Sequence, residues 1–111
     1  MQIAKYMRGS VTVVELDGEL DSVTAPASRE ELSQLAGSGG PVLLDLSRMS
    51  YMSSAGLRVL LLVYRQARDA GAALALAGLP PMIREVMAAT GFLDFFTVAD
   101  SVEAALEDLE P

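Results

Sequence analysis

The sequence predicts an α/β fold in which a mixed, mostly parallel β-sheet of about four to five strands carries helices mainly on one face. Strand-like segments alternate with longer amphipathic segments along the chain, which is the order that produces parallel strands joined by helices. The segment Pro41–Leu46 contains an uninterrupted apolar run, which is typical of a central strand buried on both faces. With 111 residues, 51% of them hydrophobic, the chain is expected to form one domain over residues 1–111.

The first part of the chain predicts two strands and a helix. Ile3–Met7 and Val11–Leu16 are expected to be short strands that turn at residues 8–10, since the second is rich in β-branched side chains. Gly18–Asp21 is expected to be a tight, polar exit from the second strand. An amphipathic pattern over Ala25–Ala36 predicts a surface helix. The candidate caps of this helix are Asp21, Ser22 and Thr24.

The second part of the chain predicts three further helices. A long helix follows Ser53 and Ser54 and is expected to end at Gly71, because glycine commonly terminates helices. Proline is well placed in a first helical turn, so a helix is expected to begin near Pro81. This helix continues to about Ala89 through the apolar residues Ile83, Val86 and Met87. The remaining elements are a strand over Ala72–Ala77, a short edge strand over Phe95–Val98 and a helix over Ser101–Leu109.

Two residue types that carry much of protein chemistry are missing from the sequence, which has no Cys and no His. Without Cys, neither disulfides nor thiolate chemistry are available. Without His, a serine nucleophile lacks its usual general base and zinc lacks its commonest ligand. The protein is therefore expected not to be an enzyme and to use neither a metal nor a cofactor.

The charge balance excludes several kinds of partner. The chain has 15 acidic and 8 basic residues, a formal net charge of −7, whereas nucleic acids and anionic membrane surfaces attract basic proteins. The N-terminus lacks the basic and then apolar pattern of a signal peptide. The longest nearly uncharged run, residues 70–83, is interrupted by glycines and prolines. The sequence therefore predicts a cytoplasmic protein that neither binds nucleic acid nor inserts directly into a membrane.

The start of the long helix is the first candidate site, because Ser53 and Ser54 place two hydroxyls there. A hydroxyl at this position can cap the helix by accepting an unpaired amide hydrogen. The partial positive charge of the first turn also tolerates a phosphate. Asp21 is the second candidate, since parallel pairing of its strand with Pro41–Leu46 would bring it near Ser54. The residues alone leave open whether these groups are caps and solvated side chains or a functional site.

Four segments together resemble the bacterial anti-sigma-factor antagonists of the STAS domain family. The first two are Gly18–Asp21 after an early strand and the strand Val42–Leu46. The others are Met49–Leu62, with the sequence MSYMSSAGLRVLLL, and Thr90–Phe92 after the third helix. The similarity spans essentially the whole chain in the expected order, and it implies the STAS fold.

The resemblance implies a function in partner switching. Such an antagonist binds an anti-sigma factor that has serine kinase activity and thereby releases a sigma factor. The kinase phosphorylates a serine at the helix start, which ends the binding, and a phosphatase restores it. The family motif, commonly Asp-Ser-Ser/Thr-Gly-Leu, places the acceptor on Ser54. Here Ser53 stands where the family often has Asp, so Ser53 is the second choice of acceptor.

The match also implies which residues lie near the phosphorylated serine and bind the partner. They are Asp21, Ser53, Ala55, Gly56 and Arg58. In this sequence Ala55 replaces the second hydroxyl of the motif. No cofactor follows from the resemblance, because the kinase brings the nucleotide.

Two other functions remain as alternatives. A STAS module can be an accessory subunit of a membrane transport complex for lipids or anions, which binds its partners without phosphorylation and uses the serine only as a cap. A small hydrolase with Ser54 as nucleophile is the other. The sequence lacks both the Gly-x-Ser-x-Gly motif around Ser54 and a His, so the hydrolase is disfavoured.

Overall fold

The computed structural model describes residues 1–109, so residues 110 and 111 of the predicted domain lie outside the described part. The described residues form six β-strands, four α-helices and one short 3-10 helix. In chain order these are β1 Gln2–Arg8, β2 Val11–Leu20, α1 Ala25–Ala36, β3 Val42–Asp45, β4 Met49–Met52, α2 Ser54–Asp69, β5 Leu74–Ala77, α3 Pro81–Ala89, the 3-10 helix Phe92–Phe95, β6 Thr97–Ala99 and α4 Val102–Leu109.

The strands form one mixed sheet with the order β1-β2-β3-β5-β6. The hairpin β1–β2 is antiparallel, and β2–β3, β3–β5 and β5–β6 are parallel pairs. The predicted mixed and mostly parallel sheet is therefore confirmed, with Val42–Asp45 in its centre. The additional strand β4 was not expected from the sequence, and it pairs in parallel with the far end of β2.

The second strand is longer than predicted. Gly18–Asp21 was expected to be its exit, but β2 continues through Gly18 to Leu20. Gly18 has a φ of +115°, a value that glycine adopts far more readily than other residues, and the pairing register with β4 shifts directly after it. The irregularity redirects the strand, so that β2 pairs with β3 up to Glu15 and with β4 from Gly18 onwards.

Two aliphatic clusters cover the two faces of the sheet. Alternation along β3 separates them, since Val42 and Leu44 belong to the larger cluster and Leu43 to the smaller one. The larger cluster packs against α1, α2 and α3, which confirms that helices lie mainly on one face. The smaller cluster is covered by α4 through its buried residues Ala105 and Leu106.

Local signals determined several helix ends. Ala25–Ala36 is helical as predicted, and Pro81 begins α3. Ser101 caps α4, because its Oγ accepts a hydrogen bond from the Ala104 amide at 3.1 Å. The expected strand over Phe95–Val98 starts two residues later, since Phe92–Phe95 form the 3-10 helix. Within residues 1–109, no helix combines the length and apolar character needed to span a bilayer.

Candidate functional site

The candidate site lies where β2 and β4 end together. Leu20 and Met52 are paired in the parallel register, so Asp21 and Ser53 are the next residues at the same edge of the sheet. The Ser53 amide donates a hydrogen bond to the Leu20 carbonyl oxygen at 3.0 Å, which fixes the two chain ends together. The carboxyl ends of parallel strands are the usual location of sites in α/β folds.

The two adjacent serines have different environments. Ser53 is the N-cap of α2, with extended backbone, and its Oγ accepts a hydrogen bond from the Gly56 amide at 3.3 Å. Ser54 is the first residue of the helix and is exposed. Among residues 1–109, no partner forms a hydrogen bond with the Ser54 hydroxyl. Ser53 therefore has a structural contact, and Ser54 presents a free hydroxyl to solvent.

This difference predicts unequal effects on stability. Ser53→Ala is expected to lower the free energy of unfolding by about 1 kcal/mol, because an N-cap hydrogen bond is lost. Ser54→Ala is expected to change it by less than about 0.5 kcal/mol, as is usual for exposed positions without special contacts. Urea unfolding of both variants beside the wild type measures the difference. Equal losses in the two variants would show that the assigned cap is wrong.

Gly56 allows the first turn of α2 to lie directly on the strand ends. A Cβ atom at this position would contact the Leu20 carbonyl oxygen and lie 2.9 Å from both Leu20 Cγ and Met52 Cγ. Gly56 is itself buried. Only a residue without a side chain fits here, and this close approach determines where the neighbouring Ser54 is placed.

Asp21 organises the loop between β2 and α1. Its Oδ1 accepts hydrogen bonds from the amides of Val23 at 2.9 Å and Thr24 at 3.1 Å. Its own amide donates to Thr24 Oγ1 at 3.0 Å, and the Thr24 hydroxyl donates to the Glu19 carbonyl oxygen at 2.9 Å. Thr24, a predicted cap, occupies the N-cap position of α1 without a side-chain cap hydrogen bond. The amide of Thr24 is the main cause that lowers the pKa of Asp21, and burial opposes this effect.

The lowered pKa makes the contribution of Asp21 dependent on pH. Folded Asp21 holds its proton more weakly than unfolded Asp21, so its stabilisation is complete above the ordinary pKa of 3.8 and is lost as pH falls through the lower folded value. Asp21→Asn should therefore be less stable than the wild type at about pH 6, and the difference should shrink below about pH 4. Urea midpoints of both proteins across this range measure it. A difference that is independent of pH would contradict the role of the charge.

An apolar groove opens beside Ser54, between the start of α2 and helix α3. This α2–α3 groove has a volume of about 200 Å³. Three large apolar side chains are unusually exposed there, Tyr51 at 49%, Met82 at 69% and Val86 at 49%. Val86 is one of the apolar residues along the predicted helix, and about half of it faces solvent. The groove is lined by Tyr51, Met52, Ser53, Ser54, Leu57, Met82, Ile83, Val86 and Thr90.

Ala55 and Arg58 border a different groove from the one beside Ser54. Both line a larger groove of about 490 Å³ between α1 and α2, the α1–α2 groove. Arg58 is exposed and follows Ser54 by four residues, which is about one helical turn. The structure thus places the predicted site residues around the first turns of α2, with Asp21 at the adjoining strand end. No group of three or more acidic side chains in residues 1–109 is arranged to hold a metal ion.

The sequence was compared with family models and with known proteins, and the two comparisons agree. The family model described as STAS domain matches residues 2–105 of the chain. A Bordetella bronchiseptica protein named as a candidate anti-sigma factor antagonist, BtrV, is 46% identical over 91 residues, which cover 81% of this chain and 78% of the relative. The anti-sigma-B factor antagonist of Bacillus subtilis is 30% identical over 94 residues, covering 85% of this chain and 86% of the relative.

A solved structure shows the same fold at lower identity. It is that of the Bacillus cell fate determinant SpoIIAA in its phosphorylated form, with a TM-score of 0.74 and 22% sequence identity. The superposition covers 98% of this chain and 100% of the solved chain. The overall fold of the chain is therefore one already known from experiment.

Proposed function

The chain belongs to the STAS domain family, and we propose that it is an anti-sigma-factor antagonist that acts by partner switching. In this proposal it binds an anti-sigma factor and thereby releases the sigma factor that the anti-sigma factor holds. Serine kinase activity of the anti-sigma factor then phosphorylates Ser54, which ends the binding. A phosphatase removes the phosphate and restores the active form. The two relatives named above support the general role, since both carry the name of anti-sigma factor antagonist.

The observation that carries the proposal is the position of the Ser54 hydroxyl. It is exposed, lies at the first residue of α2 and borders the apolar α2–α3 groove. Exposed Tyr51, Met82 and Val86 form a surface that a protein partner can cover, because large apolar side chains of this kind are enriched in interface cores. A kinase can reach the same hydroxyl when it binds there.

Ser54 is a better acceptor than Ser53 for a structural reason. The Ser53 Oγ already accepts the Gly56 amide hydrogen, and the residue is only partly exposed. Its phosphorylation would alter the helix cap. The Ser54 oxygen can attack the γ-phosphorus of the kinase-bound nucleotide, so that the bond to the leaving diphosphate breaks and the hydroxyl proton passes to the kinase or to solvent. The antagonist supplies no base for this step.

The effect of the phosphate is expected to be local. A phosphoserine adds about −1.5 to −2 charges, and a helix N-terminus tolerates such a charge without refolding. In contact with a partner, the same charge would have to leave water beside an apolar groove, which is costly when no cation pairs with it. Phosphorylation therefore separates the two proteins through electrostatics and desolvation, and the fold of the antagonist stays the same.

The test is the intact mass of the protein after incubation with ATP and the anti-sigma factor kinase of its own organism. We expect the wild type and Ser53→Ala to gain one phosphoryl group, and Ser54→Ala to gain none. Ser53→Ala also controls for loss of the helix cap. A gain that persists in Ser54→Ala would move the acceptor to another residue. The absence of any gain in the wild type, with an anti-sigma factor that binds it, would overturn the phosphorylation switch.

A further inference from the structure

The α1–α2 groove concentrates positive charge in an acidic protein. Three of the eight cationic side chains of the chain line it, Arg29 from α1 and Arg58 and Arg65 from α2. All three are exposed. Within residues 1–109, the ion pairs found are those of Arg8, Arg68 and Arg84, and none involves an arginine of this groove. The formal net charge of −7 makes such a cluster of uncompensated guanidinium groups notable.

The floor of the same groove is apolar and elongated. It is formed by Ala25 and Pro26 on one side and by Val59, Leu61 and Leu62 on the other. The lining residues of α2 extend from position 55 to position 65, which corresponds to about 15 Å at 1.5 Å per residue. The groove therefore offers an apolar strip about three helical turns long, with arginines along it.

We propose that the α1–α2 groove binds an acidic amphipathic helix of a partner protein. The apolar face of this helix would pack on the floor, and its Glu or Asp side chains would pair with Arg29, Arg58 and Arg65. Binding of a helix in a groove uses apolar anchors at helical spacing, and Arg pairs with carboxylates through two parallel hydrogen bonds. The charge complementarity selects an acidic helix and disfavours a basic one.

The spacing of the arginines favours a helix over a single small anion. Arg58 and Arg65 are seven residues apart on α2, about 10 Å along its axis. This is the distance between acidic residues two turns apart on a partner helix. The surface also differs from the α2–α3 groove, which borders Ser54 and is lined by other residues. The proposal is independent of phosphorylation and would hold if Ser54 were never modified.

The experiment uses the full chain, labelled with ¹⁵N, and two synthetic helical peptides. Both peptides carry Leu at positions i, i+3, i+4 and i+7, and one has Glu and the other Lys on the flanking positions. We expect the Glu peptide to shift amide signals of α1 and α2 and to bind at least about 10-fold more tightly than the Lys peptide. The double variant Arg29→Glu/Arg65→Glu should lose at least about 10-fold in affinity for the Glu peptide.

A matched control keeps the charge change but moves it away from the groove. The double variant Lys5→Glu/Arg48→Glu changes two exposed cationic side chains that do not line the groove, and it should bind the Glu peptide as the wild type does. Circular dichroism verifies that all variants are folded. Equal binding of the two peptides, or unchanged binding by the double variant, would overturn the proposal. It would also fail if inorganic phosphate alone shifted the groove amides and the Glu peptide did not, since the site would then bind a small anion.

Discussion

Ser54→Glu is expected to weaken binding to the anti-sigma factor by at least about 30-fold, whereas Ser54→Ala is expected to bind about as tightly as the unmodified protein. The estimate follows from the cost of leaving an interfacial charge unpaired, about 2–5 kcal/mol, with each 1.4 kcal/mol equal to a factor of ten. Glu carries one negative charge and phosphoserine more, so phosphorylation should weaken binding at least as strongly as the substitution. Isothermal titration calorimetry with the purified anti-sigma factor measures the affinities of the unmodified protein, the two variants and the phosphorylated protein.

The interpretation depends on the fold being unchanged by the new charge. A carboxylate in the first turn of α2 lies at the positive end of the helix dipole and should not destabilise the protein. Equal urea midpoints for Ser54→Glu and the wild type would therefore accompany the loss of binding. A loss of binding together with a loss of stability would instead indicate a structural effect.

Ser38→Glu is the matched control for this experiment. It adds the same charge at an exposed serine in the loop after α1. That loop lies beside the opposite end of α2, since a Cβ atom built at neighbouring Gly39 would lie 3.8 Å from the Ala70 carbonyl oxygen. Ser38→Glu should bind the anti-sigma factor with unchanged affinity. If it weakened binding as much as Ser54→Glu, overall charge rather than the position of Ser54 would explain the effect.

Features that depend on nearby residues could be predicted from the sequence. Three such features are the apolar run of β3, the prolines at the start of α3 and the hydroxyl of Ser101 before α4. Each acts through local geometry. The same holds for the start of α2, where one of two serines had to be the cap. Which one could not be decided locally, because the position of Ser53 is set by a long-range hydrogen bond from its amide to the Leu20 carbonyl oxygen at the end of β2.

The strand β4 could not be predicted for the same reason. Met49–Met52 has no strong strand composition, and it pairs only with the part of β2 beyond Gly18. That part was expected to be an exit loop, so both halves of the pair were missed together. The predicted link between Asp21 and the helix start relied on β2 and β3, which are indeed parallel. At the site itself, however, the strand that pairs with the end of β2 is β4.

The apolar α2–α3 groove was missed because apolar residues were assigned to the core. Helix α3 carries Ile83 and Met87 on its buried side, yet Met82 and Val86 are also apolar and are exposed. A helix with apolar residues on two faces requires a second surface to cover it. This pattern was visible in the sequence and could have indicated an interface. The arginine cluster, by contrast, requires the packing of α1 on α2 that only the fold provides.

After the loss of binding in Ser54→Glu, the second large effect is expected for Gly56→Ala. This substitution should lower the free energy of unfolding by about 2 kcal/mol. The added Cβ would meet the Leu20 carbonyl oxygen as well as two side-chain carbons at 2.9 Å. Overpacking of this kind costs about 1–3 kcal/mol or more, while replacing Gly by Ala in a helix returns at most about 1 kcal/mol. Urea unfolding measures the net loss, and Gly40→Ala is the control, since a Cβ at position 40 meets nothing within 4 Å.

The response to Gly56→Ala also tests how the site is built. The Leu20 carbonyl cannot withdraw easily, because it accepts the Ser53 amide hydrogen and Leu20 is fully buried. The first turn of α2 must therefore move away from the strand ends, and it carries the hydroxyl of Ser54 with it. We expect weaker anti-sigma factor binding even under conditions where the variant is fully folded. Wild-type stability and binding in Gly56→Ala would show that the close approach of helix and strand has no role at this site.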